Sequence, residues 1–105
     1  MLIRSQDRKC FVNTDNVFST NIYGADDEYV IDATNNIGTE TLGVYSSEEK
    51  ALKVLDMICS AYDRYSRKCI DFSSTEGGLY KTIFGMPKDE DVVITDENGV
   101  IICGN

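Results

Sequence analysis

Between Ser46 and Tyr65, apolar residues recur at helical spacing. Ala51, Leu55, Ile58, Tyr62 and Tyr65 follow one another at steps of four and three, and Leu52 and Cys59 widen the stripe. That is the spacing of one buried helical face. Glu48, Lys50, Lys53, Asp56, Asp63 and Arg64 fall mostly on the other side. Ser46 suits the N-cap, where a hydroxyl accepts from an unpaired backbone N–H, and Glu49 three residues later completes a capping box. Glu48 and Glu49 sit where the helix dipole favours carboxylates, and Glu49 and Lys53 stand at i and i+4 in the favourable order. The basic run Arg64 to Lys68 suits a last turn.

Upstream, the pattern changes to strands joined by turns. Cys10 to Val12, Val17 to Tyr23, Tyr29 to Ala33 and Ile37 to Tyr45 are rich in β-branched and aromatic residues. Asn13 to Asn16, Gly24 to Asp27 and Asn35-Asn36 separate them. Phe18, Thr20 and Ile22 share one face of a strand; Tyr29, Ile31 and Ala33 share one face of the next. Downstream, Phe72 to Gly78 reads as a loop and Leu79 to Met86 as a further strand before Pro87. Val92 to Thr95 and Val100 to Cys103 flank Asn98-Gly99, a strong hairpin signal. The fold expected is a single α+β domain over residues 1–105: an antiparallel β-sheet packed against one long amphipathic α-helix, with a C-terminal β-hairpin.

Length agrees, since 105 residues bury a modest core without metal or disulfide staples. The N-terminal segment carries Arg4 and no apolar stretch follows, so we expect neither a signal peptide nor a membrane anchor, and a cytoplasmic protein. Cys10, Cys59, Cys69 and Cys103 form no Cys-x-x-Cys pair; reduced, mostly buried thiols are expected.

Candidate chemistry narrows the functions further. There is no histidine, which rules out Ser-His-Asp and Cys-His nucleophile systems and any His-ligated metal. Gly77-Gly78 lacks the lysine and helix start of a phosphate loop. Carboxylate pairs could in principle act as acid and base, yet Asp26-Asp27-Glu28 and Asp89-Glu90-Asp91 both fall in predicted loops, where acidic runs are solvated. We therefore expect no enzyme, no cofactor and no metal. Ten basic against eighteen acidic residues give a net charge of -8, which repels nucleic-acid phosphate and disfavours direct DNA or RNA binding. The same charge could enter a basic cleft, making Asp26, Asp27, Glu28, Asp89, Glu90 and Asp91 candidate contacts to a partner protein. A second candidate is the polar island Arg4, Gln6, Asp7, Arg8 and Lys9, which suits a small phosphorylated ligand or, more simply, a charged turn between strands.

The chain also resembles a family of small, functionally uncharacterised proteins encoded in low-GC Gram-positive bacteria and their phages and prophages. The matching residues are Ile3 to Arg8, then Val12-Asn13 with Asp15 to Val17, then Leu42-Gly43 and Tyr45 to Ile58, and lastly Phe84 with Met86-Pro87 and the acids after it. About a third of the chain is covered, in order. The segment Glu28 to Thr41 departs from the pattern, and the terminal hairpin from Val92 to Asn105 extends beyond it. The resemblance implies an origin and is nearly silent on mechanism. Taken with size, acidity and missing catalytic groups, it leads us to expect a non-catalytic binding protein whose partner is a host protein. Such a protein could be an acidic inhibitor of a bacterial defence system, as anti-CRISPR proteins are. The alternatives are a small-molecule or nucleotide sponge using the Arg4-Arg8-Lys9 island, and a structural homo-oligomer built on strand edges or the terminal hairpin.

Overall fold

The structure is a computed structural model that describes residues 1–17, 19–70, 83–95 and 101–103, with the backbone alone for 67–70 and 101–103. Phe18, the predicted loop at 72–78 with its Gly77-Gly78 pair, the predicted strand at 79–82 and the Asn98-Gly99 turn lie outside these residues.

The chain is an α+β fold, with the β-structure divided rather than continuous. β1 (Leu2–Arg4) is central in a three-stranded sheet, between β2 (Phe11–Asn13) and β6 (Ile83–Gly85). It pairs antiparallel with β2 and parallel with β6, so this sheet is mixed and not purely antiparallel. A second sheet is antiparallel, β3 (Ser19–Ala25), β4 (Glu28–Thr34) and β5 (Thr39–Tyr45) in chain order. β7 (Ile94–Thr95) and β8 (Ile101–Cys103) pair antiparallel as the terminal ribbon. One-turn 3-10 helices cover Thr14–Asn16 and Asp89–Asp91, both expected as turn or loop.

The helix α1 (Glu48–Ile70) crosses the inner face of the second sheet. Its start lies one residue beyond the expected one. Ser47, not Ser46, is the N-cap: its hydroxyl accepts from the Lys50 N–H at 3.2 Å and its carbonyl from the Ala51 N–H at 3.2 Å. With Lys50 at the third helical position, the expected Ser46–Glu49 capping box is not formed. The buried stripe is also rotated. Ala51, Val54 and Ile58 are buried and Leu55 is half-buried, whereas Leu52, Cys59 and Tyr62 are exposed. This face meets Ile31 and Ala33 of β4, Leu42 and Tyr45 of β5, and Ile3 and Val12 of the first sheet. Each Val, Leu or Ile side chain among them contributes about 1.5–3 kcal/mol when removed from water.

Gln6 stitches the two sheets. Gln6 donates its backbone N–H to the Leu42 carbonyl at 2.7 Å, and its amide imitates a peptide group beside Val44. Gln6 Oε1 accepts from the Val44 N–H at 3.0 Å, while Nε2 donates to the Val44 carbonyl at 3.1 Å. The same Nε2 reaches the Pro87 carbonyl at 3.2 Å. A bulge at Leu42, between the pairs Ile31↔Gly43 and Asp32↔Thr41, aims Leu42 into the core and its carbonyl at Gln6.

Candidate functional site

Three acidic segments far apart in sequence meet at one end of the molecule. The first is the β3–β4 turn. Ala25 pairs with Glu28 across a two-residue connection, Asp26-Asp27, with φ of 52° and 64°. Both sit in the left-handed region that a primed hairpin turn requires and that Asp tolerates. Tyr29 pairs with Tyr45, so this turn lies at the end where β5 leaves the sheet for the helix. The second segment, Glu48-Glu49, follows at once as the first turn of α1. The third is tethered there by hydrogen bonds. Asp89 Oδ1 accepts from the Ser46 N–H at 2.8 Å and the Ser46 hydroxyl at 3.1 Å. Asp26, Asp27, Glu28, Glu48, Glu49, Glu90 and Asp91 are all exposed.

Asp89 differs from its neighbours because it is half-buried and paired with a buried lysine. Lys50, only 4% exposed, donates to the Asp89 carbonyl at 2.9 Å and lies 3.5 Å from Asp89 Oδ2. Burial alone would push the Asp89 carboxyl up, but the Ser46 N–H and hydroxyl and the Lys50 ammonium together hold it below the usual carboxylate range. Beside it the Tyr45 hydroxyl donates to the Pro87 carbonyl at 2.7 Å. Burial foremost, and the nearby Asp89 charge next, push that hydroxyl far above its ordinary value. Lys53, expected to pair with Glu49, instead donates to the Val93 carbonyl. The Lys50 and Lys53 side chains thus clamp residues 89–93 to the first turns of the helix.

The polar island is the turn between β1 and β2, and it divides into inward and outward residues. Buried Ser5 donates its hydroxyl to Asp7 Oδ1 at 2.6 Å and accepts from the Cys10 N–H at 3.2 Å; Lys9 N–H reaches the same Asp7 oxygen at 2.9 Å. The Ser5 hydroxyl first, and then the Lys9 N–H, hold the Asp7 carboxyl below its ordinary value. Gln6 is committed to β5 and Pro87. Arg4, Arg8 and Lys9 are exposed. Arg8 adopts φ of 67°, and its guanidinium covers Gly85, where an added Cβ would stand 2.8 Å from Nη1. Arg4 pairs in register with both Phe11 and Gly85. The outer face of the first sheet therefore carries two guanidiniums beside Phe11 and Ile83, which are 59% and 52% exposed. Among the described residues neither arginine has an ion-pair partner. Local spacing could reveal Arg4 and Arg8; it could not reveal Gly85 or Ile83, which arrive through a parallel pairing.

An open cleft of about 340 Å³ runs between α1 and β6, lined by Met1, Ala61, Arg64, Tyr65, Ile83, Phe84 and Gly85. Cys10 is half-buried, whereas Cys59 is exposed, against the expectation of mostly buried thiols; both are free. The side chains of Cys69 and Cys103 lie outside the described residues. Among the described residues no three side chains of metal-ligating type are grouped to hold an ion, and no helix is long and apolar enough to cross a membrane. Models of known protein families, characterised proteins and solved structures were each compared with the chain, and none matches.

Proposed function

We propose that this chain is a non-catalytic binding protein of phage or prophage origin that acts in the bacterial cytoplasm, its acidic end occupying a basic cleft of a host protein. An inhibitor of a defence system that works on nucleic acid would act in this way. The observation that carries the reading is the gathering of Asp26-Asp27-Glu28, Glu48-Glu49 and Glu90-Asp91 at one end. Lys50 and Lys53, the lysines of the adjoining helix turns, give their ammonium groups to backbone carbonyls of residues 89 and 93. The exposed acids are thereby left without those neutralising partners. Such a surface steers association with a basic groove and competes with polyanions for it, in a salt-dependent manner.

The test is affinity capture from a bacterial lysate with the native chain and with a variant neutralised at Asp26, Asp27, Glu48, Glu49, Glu90 and Asp91 (Asn for Asp, Gln for Glu). A saturable protein partner, released by heparin and lost with the neutralised variant, is the expected result. Native chain that captures nothing saturable, or a partner retained equally by both, would sink the reading.

A second reading has its own support. Arg4 and Arg8 on the open face of the first sheet, with Lys9 in the adjoining turn, suit the oxygens of a small phosphorylated ligand. Calorimetric titration of the native chain and of R4A/R8A/K9A with a nucleotide panel tests it; no difference between the two dismisses that site.

A further inference from the structure

Strand edges are templates for pairing, and folded proteins blunt them with charges, proline, bulges, shortness or a cover. In the second sheet, β5 is covered where Gln6 binds both Leu42 and Val44. In the first sheet the edge strands β2 and β6 are three residues each. β3 is different. It runs for seven residues, Ser19–Ala25, pairs only with β4 among the described residues, and contains no charge and no proline. Tyr23 is 52% exposed on it, and Asn21 donates its amide to the Ser19 hydroxyl at 3.2 Å, leaving the edge backbone untouched. Every second residue of β3 turns its N–H and C=O away from β4.

We infer that β3 pairs antiparallel with β3 of a second copy of this chain, joining two three-stranded sheets into one of six strands about a two-fold axis. The uncharged strand lets a second copy pair without burying a charge, and charge selects the direction. With Ile22 opposite its own copy, Ser19 faces Ala25 and the whole uncharged strand is paired. The acidic turns that follow Ala25 then leave from opposite ends, with the two Ala25 positions separated by roughly 20 Å along the strands at 3.4 Å per residue. That is beyond the screening length of about 8 Å at physiological salt. A parallel pairing would set the Asp26-Asp27 turns of two chains of net charge -8 side by side. A C2 contact is isologous, so one strand serves both protomers. The dimer presents two carboxylate-rich ends pointing apart, whatever those ends bind.

Sedimentation equilibrium of the full chain is expected to give twice the chain mass of 11.7 kDa. N21K/Y23K, which places lysines on the exposed side of the edge, is expected to give a single chain mass with an unchanged circular dichroism spectrum. N36K/I37K adds the same charge in the exposed β4–β5 turn and is expected to remain dimeric, which separates edge blocking from reduced net charge. A native chain that stays monomeric up to millimolar concentration, or a dimer that persists in N21K/Y23K, overturns the pairing. A monomer that copurifies with a foreign peptide on β3 overturns it too. If N21K/Y23K does not fold, hydrogen exchange of the native chain decides. β3 amides should gain protection as protein concentration rises, and exchange independent of concentration refutes the dimer.

Discussion

Removal of the Asp89 carboxylate is the sharpest probe of how this end of the molecule is held. Lys50 is 4% exposed, and its ammonium has two neighbours, the Asp89 carbonyl at 2.9 Å and Asp89 Oδ2 at 3.5 Å. Asp89→Ala keeps the first and deletes the second, stranding a buried cation; it also takes the acceptor from the Ser46 N–H and hydroxyl. Breaking a buried ion pair costs about 3–5 kcal/mol. The Asp89 side chain is 35% exposed, so water screens part of the loss, and we expect about 2–3 kcal/mol. In a domain of this size that lowers Tm by roughly 10–20 °C.

The pH dependence gives a second, independent reading of the same contact. The folded-state pKa of Asp89 is lowered. Its contribution is therefore fully present above the unfolded carboxylate value of about 3.9 and is lost as pH falls through the lower folded value. The stability gap between native chain and Asp89→Ala, measured by urea unfolding, should be widest near neutrality and close as pH falls below about 4. In a double-mutant cycle, Lys50→Met removes the cation that needs the carboxylate, so Lys50→Met/Asp89→Ala should cost less than the sum of the single changes. A loss under about 1 kcal/mol at neutral pH, where screening dominates, or a gap that does not narrow in acid, would refute this account of the pair.

Three other outcomes follow from the same packing. Ser47→Ala should cost about 1 kcal/mol through loss of the helix cap, and Ser46→Ala less, because the Ser46 N–H still reaches Asp89; equal losses in urea unfolding would contradict the assigned start. Ile31→Ala, at a fully buried site, should cost about 2–5 kcal/mol, half-buried Leu55→Ala less, and exposed Leu52→Ala within about 0.5 kcal/mol; any other order in thermal melts would mean a differently rotated helix. The Tyr45 hydroxyl is held protonated, so its contribution is complete below the unfolded value of about 10 and declines as pH rises beyond it; Tyr45→Phe should cost about 1 kcal/mol at neutral pH and flatten the alkaline loss of stability seen in the native chain, and an equally steep loss in the variant would be inconsistent with that burial.

The α+β class, the long helix and the strands of the second sheet were legible because their signals are local: helical spacing in one stretch, β-branched runs between turn residues in another. The helix start was ambiguous by one residue because Ser46 and Ser47 are both competent caps, and the choice is made by Asp89, 43 residues away. The stripe is rotated because Ala51 and Ile58 fit two faces equally well. Val54, three residues after Ala51, is fully buried in the core, and Leu55 is half-buried. β1 escaped notice for a different reason. Three residues ending in Arg4 carry little pattern, and what makes them a strand is a parallel pairing with Ile83–Gly85. Of the candidate residues, the acids and the arginines were visible as charge runs. Their separation into half-buried Gln6 and Asp89 and exposed Arg4, Arg8, Glu90 and Asp91 depends on partners that no local spacing encodes.

That separation allows stability and binding to be perturbed independently. The carboxylates at this end do two kinds of work: Asp89 neutralises Lys50 and orders residues 89–91, while the acids of the β3–β4 turn, the first helical turn and Glu90-Asp91 face solvent. Their neutralisation removes charge that the fold does not use, apart from the modest helix-dipole contribution of Glu48 and Glu49, about 0.3–1 kcal/mol each. The neutralised variant should therefore remain folded while losing any partner held by charge. Asp89→Ala should do the opposite, losing stability yet keeping capture at temperatures where it is folded. Were both variants to lose stability and capture in proportion, the acidic end would be part of the scaffold, and the binding surface would have to be sought on the arginine-bearing face of the first sheet.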